Sequence, residues 1–281
     1  MSSQAVPIRN MKLPIDWITR LVFGIALAAL ALSALVAGRW YFAAFVAAGA
    51  IGASREWHRM VERRPFAREF WPGAAAIAFA LFALTLRPRG VEAWLILCVG
   101  AALVFGSARL RGSVPAWHAV GVLYIGVPAL LLIALRAMGA HGAWIIAGFL
   151  VVVWATDTGA LIAGNLIGGP KLWPRLSPNK TWAGTVGGVV IAVAVGAAYV
   201  GFLGGTVMLA ALYALAISVI ATAGDLFESA VKRTFSVKDS GGLIPGHGGV
   251  LDRIDSALAV SAVVGVCVLG AGLDPMFGAN P

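Results

Sequence analysis

The chain has 281 residues, of which 60% are hydrophobic and only 12% charged, and its formal net charge is +9. Soluble domains carry about 25% charged residues, so this composition excludes an ordinary soluble globule and points to a chain built for a lipid bilayer. The basic excess has no soluble module to carry it, which argues against nucleic-acid binding.

Apolar runs fall at 21–38, 40–54, 71–86, 93–108, 117–135, 143–165, 182–203, 207–223 and 256–273. They are continuous rather than alternating, which disfavours a membrane barrel, and their lengths approach the ~20 residues that cross a bilayer as helix. The predicted fold class is therefore all-α, a polytopic integral membrane helical bundle of about nine transmembrane helices. The first run is longer than a signal-peptide core and lacks a small-x-small cleavage site, so it reads as an anchor. Cys98 and Cys267 lie in apolar runs and read as core packing residues, not as a disulfide or zinc pair.

Lys and Arg accumulate in cytoplasmic loops. With the N-terminus cytoplasmic and nine spans, 17 of the 21 basic residues fall on the cytoplasmic side; only Arg39, Arg87, Arg89 and Arg136 fall opposite. This arrangement places loops 166–181 and 224–255 together in the cytoplasm. Two regions follow: an N-terminal transmembrane scaffold over 1–140 and a C-terminal catalytic region over 141–281. Within the scaffold, the mixed charges of 55–69 read as a solvated helix end, and Pro128 is expected to kink the fifth span or to open a cavity there.

Acids enter the apolar runs only in the second half. Asp157 interrupts the sixth, where an ionised side chain costs about 2.5–3.5 kcal/mol, so it is expected to face a polar cavity. The following loop offers Lys171, Arg175, Ser177, Lys180 and Thr181, with Pro174 and Pro178 restricting the chain, and suits an anionic headgroup or a triphosphate. Residues 224–256 hold five of the twelve acids. Continued as helix from the eighth span, Asp225, Glu228, Ser229 and Lys232 share one face and form an oxygen-rich surface for magnesium and phosphate. The glycine-rich stretch 239–249 is a loop whose backbone N–H groups can approach a polyphosphate. Lys238 and Asp239 open it, and Asp252, Arg253 and Asp255 follow at the head of the ninth span, where the acids also suit helix capping. This assembly favours phosphoryl or nucleotidyl transfer at a membrane surface. A Ser/His/Asp hydrolase fits less well, since His247 is the only histidine nearby and no nucleophile elbow surrounds a serine. An ion-coupled transporter accounts for Asp157 and Asp225, but the chain shows no repeated halves.

The pattern Ser-x-apolar-Lys-Arg, four residues, Lys-Asp-x-small, two residues, apolar-Pro-x-His-Gly-Gly-apolar-x-Asp-Arg-apolar-Asp is met from Ser229 to Asp255. In this the chain resembles the phosphatidate cytidylyltransferase, or CDP-diglyceride synthetase, family. Gly224-Asp225-Leu226 with Glu228, Ser177-Pro178 with Lys180-Thr181, and Asp157-Thr158-Gly159-Ala160 also look like family features. The chain departs from the pattern at Leu161, Asn165 and Ala183, where Tyr, a basic residue and an acid or amide are expected. The resemblance implies CTP and phosphatidate as substrates, CDP-diacylglycerol and pyrophosphate as products, Mg2+ as cofactor, a bacterial cytoplasmic membrane location, and a homodimer. Under it, Asp225 and Asp252 hold the metal, with Asp255, Asp157 and Glu228 assisting. Lys232, Arg233, Lys238 and Arg253 neutralise triphosphate, and Asp239 and His247 order the site. Lys171, Arg175, Ser177, Lys180, Thr181, Ser229, Gly248 and Gly249 receive CTP or the lipid headgroup. Another CTP-dependent enzyme, acting on an ether lipid or a polyprenol, would present the same residues.

Overall fold

A computed structural model describes residues 15–64, 67–243 and 248–273. Among these, nine helices appear: α1 (Ile15–Ala37), α2 (Arg39–Glu62), α3 (Phe70–Leu86), α4 (Glu92–Leu110), α5 (Pro115–Arg136), α6 (Ala140–Ile167), α7 (Trp182–Phe202), α8 (Val207–Thr234) and α9 (Leu251–Ala271). Each coincides with one of the nine apolar runs, which overshoot α1, α7 and α9 by one or two residues. Helices α4 to α9 are long and apolar enough to cross a membrane; Val22–Ala37 and Phe70–Leu86 are shorter apolar helices. A multi-span, all-α membrane bundle is thus the architecture.

The outward faces carry large apolar side chains, among them Leu103, Val190 and Met208, each more than 60% exposed. Water would oppose such a surface, whereas lipid is as apolar as the side chains themselves. Between helices, lipid supplies no hydrophobic drive, and close packing of small residues takes its place. The pairing of α6 with α7 shows this: a Cβ added to Gly188 would stand 2.7 Å from the Thr156 carbonyl oxygen, and one added to Gly187 would stand 2.2 Å from Ala163 Cβ. The same device brings α8 to α9, where a Cβ on Gly224 would meet Ala259 Cβ at 2.6 Å. Only at such separations do Asp225 and Asp255, on facing helices, share a cavity wall.

Three expectations are corrected. Loop 166–181 contains an antiparallel strand pair, β1 (Lys171–Trp173) and β2 (Ser177–Thr181), in which Lys171 faces Thr181 and Trp173 faces Ser177. Pro174 sits at the second position of the turn closed by Leu176 N–H on Trp173 O at 3.1 Å, the place where its fixed φ is favoured. Cys98 is exposed on the outer face of α4 and Cys267 is half-buried, because their positions fall off the inner stripe of each helix. The helix end at 55–69 is not solvated throughout: Glu56, His58 and Glu69 are buried. Helix α5 continues through Pro128, itself buried.

The ends of α2, α4, α6 and α8 meet on one side of the bundle. Arg111, after α4, pairs with Glu69, after α2, at 3.0 Å. Glu56 near the end of α2 accepts from the backbone N–H of Leu251 at the start of α9. Lys180 of the hairpin after α6 pairs with Asp225 on α8 at 2.5 Å. These contacts bring together the segments that carry the basic residues of 55–68, 109–111, 171–180 and 232–253.

Candidate active site

A cleft of about 790 Å³ opens at this side, between the ends of α6 and α8, the starts of α7 and α9, and the hairpin. Asp157, Lys171, Lys180, Thr181, Asp225, Lys232, Asp252, Arg253 and Asp255 all line it. Residues drawn from almost a hundred positions of sequence therefore face one space, with acids and cations alternating around it.

Each is placed by its own element. The hairpin ends in Thr181, whose Oγ1 accepts from Gly184 N–H at 3.0 Å and caps α7, and this cap fixes Lys180 immediately before it. Lys180 Nζ then reaches Asp225 Oδ2 at 2.5 Å. Helix α8 runs past the apolar segment to Thr234, so Ser229, one turn beyond Asp225, donates to Asp225 Oδ1 at 3.4 Å. One turn further, Lys232 bridges Glu228 of its own helix and Asp252 Oδ1 of α9, the latter at 2.8 Å. Asp252 stands in the first turn of α9. Its Oδ2 accepts from Gly249 N–H at 2.9 Å and from Ser240 N–H at 3.2 Å, gathering both ends of the glycine-rich loop. Gly248, with φ of 77°, takes the left-handed conformation that this return needs. Asp255 is buried, and its Oδ1 accepts from Ser256 N–H at 2.6 Å. Asp157 is open to the cleft, so its carboxyl meets polar groups and not lipid.

The other expected site residues lie outside the lining. Arg175 is exposed at the hairpin turn, and Ser177 pairs with Trp173 on its far side. Glu228 is buried behind Lys232, and its Oε1 has no hydrogen-bond partner among the described residues. Arg233 donates to Val237 O at 3.0 Å and closes the end of α8. Lys238 and Asp239 are exposed on the loop. Gly248 and Gly249 border Asp252 but not the open cleft, and His247 lies outside the described residues. Two of the departures from the family pattern, Leu161 and Asn165, line the cleft one and two turns beyond Asp157 on α6.

Sequence reasoning missed Glu56. Its side chain, 1% exposed, lies between the two ends of the loop: Oε2 accepts from Leu251 N–H at 2.9 Å and from Ser240 Oγ at 3.2 Å. A Cβ on Gly241 or Gly249 would collide with this carboxylate at 2.2 and 2.4 Å, so the glycines admit it as well as the turn. Its partners are 184 and 195 residues away, a separation that leaves no local signal.

The profile of the cytidylyltransferase family matches residues 18–269, nearly the whole chain. The chain belongs to this family. Among curated proteins, it is similar to phosphatidate cytidylyltransferases of Brucella suis (48% identical over 151 residues, 53% of this chain and 55% of the relative) and of Bacillus subtilis (43% over 143 residues, 50% and 53%). That of Staphylococcus haemolyticus is 41% identical over 152 residues, 53% of this chain and 57% of the relative. The chain thus spans about half the length of the curated relatives it matches.

The donor chemistry of the cleft fits a hard divalent cation, because four carboxylates line it and, among the described residues, no sulfur or imidazole does. Among the described residues, however, no three of these acids bring oxygens within 4.8 Å of one another. Lysines separate them. Among the described residues an all-protein cage is not what the cleft offers; one or two acids, with the remaining positions left to ligands from outside the protein, is the arrangement it allows.

Proposed function

We propose that this chain transfers the cytidylyl group of CTP to phosphatidate, giving CDP-diacylglycerol and pyrophosphate, at the cytoplasmic face of a bacterial membrane. The observation that carries the reading is the cleft itself, in which Lys180 meets Asp225 and Lys232 meets Asp252 at the ends of membrane-length helices. The names of the similar curated proteins support it, and the distribution of basic residues supports the orientation.

The reaction joins two anions. A phosphomonoester with a second pKa near 6 is largely ionised at neutral pH, so its oxygen needs no strong base to attack. A bond forms from that oxygen to the α-phosphorus of CTP, the bond from α-phosphorus to the bridging oxygen breaks, and pyrophosphate leaves with that electron pair. What must be overcome is repulsion. Lys171, Lys180, Lys232 and Arg253 line the cleft and would neutralise and align the phosphates. Asp225 and Asp252 would hold Mg2+, with Asp255 and Asp157 beside them; when bound, the ion supplies Lewis-acid stabilisation of charge on the departing phosphates. A triphosphate bound between the acids would compete for Lys180 and Lys232, and Asp225 and Asp252 would then be the residues to hold the ion. Glu56 acts through the loop, holding the segment on which Asp252 depends.

The test is turnover of labelled CTP by purified protein with phosphatidate, an ether-linked phosphatidate and a polyprenyl phosphate in parallel, each with Mg2+. CDP-diacylglycerol and stoichiometric pyrophosphate from phosphatidate support the proposal. Product from the polyprenyl phosphate alone overturns its substrate, and no product from any of them overturns the chemistry.

A further inference from the structure

A second cluster of ionisable side chains lies away from the cleft, between the end of α2, the connection to α3, and the start of α5. One oxygen each from Glu62 and Glu69 and one ring nitrogen of His118 lie within 4.8 Å of one another. His118 Nε2 is 3.8 Å from Glu62 Oε1 and 3.0 Å from Ser113 Oγ, which in turn donates to Glu62 Oε1 at 3.3 Å. His118 and Glu69 are both fully buried. Glu69 Oε1 receives Arg111 at 3.0 Å, but its Oε2, also buried, has no hydrogen-bond partner among the described residues. Two carboxylates drawn this close repel unless a proton or a cation stands between them.

The histidine is set up for the second case. Its Nδ1 lies 2.7 Å from Nδ1 of His58, a buried ring edge to edge with it and tilted by 20°, and at that separation one nitrogen must donate to the other. Without a cation, His118 Nε2–H donates to Ser113 Oγ, which itself donates to Glu62; with His118 Nδ1–H as donor to His58 instead, the lone pair of His118 Nε2 faces Ser113 Oγ and Glu62 and is open to a cation. This is the neutral, oriented imidazole found in metal ligation, its second nitrogen fixed by a hydrogen bond behind it.

We propose that Glu62, Glu69 and His118 form a divalent-cation site separate from the catalytic cleft, taking a borderline transition ion such as zinc or manganese. One imidazole and two carboxylates match those ions better than magnesium, which prefers oxygen donors alone. Metal–ligand bonds of about 2.0 Å place tetrahedral ligand atoms about 3.3 Å apart, so binding requires a modest contraction. Glu62, 16% exposed, supplies both the freedom for it and the entry route. The site would brace the end of α2, six residues beyond Glu56, and it stands independently of the cytidylyl-transfer reading.

The test is metal content and zinc titration of full-length protein in detergent, first stripped with chelator and then held in excess magnesium. The Asp225→Asn/Asp252→Asn protein serves as a parallel sample in which the cleft is disabled. One equivalent of zinc, bound equally by both, is expected; Glu62→Gln and His118→Asn should each weaken it at least tenfold, and Co2+ should give a visible absorption band that the same variants abolish. If His118→Asn does not fold, Glu62→Gln and the Co2+ spectrum of the unmutated protein decide. No stoichiometric zinc in the unmutated protein overturns the proposal in favour of a shared proton. Zinc that survives Glu62→Gln but is lost from the Asp225→Asn/Asp252→Asn protein overturns it in favour of the cleft.

Discussion

Removing the Glu56 carboxylate should undock the loop that packs against Asp252. In the intact protein two hydrogen bonds reach this buried group, from Leu251 N–H at 2.9 Å and Ser240 Oγ at 3.2 Å. Bonds to a charged acceptor contribute about 1.5–3 kcal/mol each, so Glu56→Ala costs the docked loop about 3–6 kcal/mol. A tenfold change in an equilibrium corresponds to about 1.4 kcal/mol, so turnover should fall by about 100-fold or more. Glu56→Gln retains an acceptor of the same shape but only neutral bonds, of about 0.5–1.5 kcal/mol each, and should lose roughly half as much free energy. Two measurements are needed: kcat and KM for CTP, and hydrogen exchange of the backbone amides at 240–243 and 248–251. Exchange at these amides should speed up in Glu56→Ala and recover in part in Glu56→Gln, while α6 and α7 stay protected. Unchanged turnover and unchanged loop exchange in Glu56→Ala would refute the reasoning.

Lys232→Met leaves Glu228 and Asp252 facing each other without their shared cation; losing one partner of a buried pair costs about 3–5 kcal/mol, so both melting temperature and turnover should fall, and an unchanged melting temperature would count against the bridge. Gly188→Leu forces a side chain against the Thr156 carbonyl at the α6–α7 contact. Overpacking costs about 1–3 kcal/mol, and fluorescence-detected size exclusion should show less monodisperse protein than for Gly106→Leu, where nothing lies within 4 Å. In a background with both cysteines replaced, Lys238→Cys should react with an impermeant maleimide only from the cytoplasmic side and Arg89→Cys only from the other; the reverse pattern would invert the proposed orientation.

The helices were legible because a bilayer demands long apolar runs, and all nine runs became helices. Their ends were less so. The exception is α8, whose continuation eleven residues past its apolar run is read from the helical spacing of Asp225, Glu228, Ser229 and Lys232; Lys232 pairs with Glu228 and Ser229 with Asp225 along that face. The acids and lysines of the cleft were legible as a group because charge is scarce in this chain; which acid meets which lysine was not, as Lys180 and Asp225 are brought together by the hairpin and the α7 cap. The hairpin was hidden by its prolines, which read as loop. Glu56, His58 and Glu69 were read as solvent-facing because charge at helical spacing looks amphipathic. Their burial depends on α5, the α4–α5 connection and the loop before α9, none of which is near in sequence.

The most direct measurement is turnover of labelled CTP with phosphatidate and Mg2+ by the unmutated protein, Asp225→Asn and Asp252→Asn, each shown to be folded by size exclusion. The unmutated protein should release pyrophosphate in step with CDP-diacylglycerol, and each variant should fall by at least about 100-fold, as expected when a ligand of a charge-stabilising ion is lost. Near-normal turnover in either variant would contradict a reaction centred on the cleft acids.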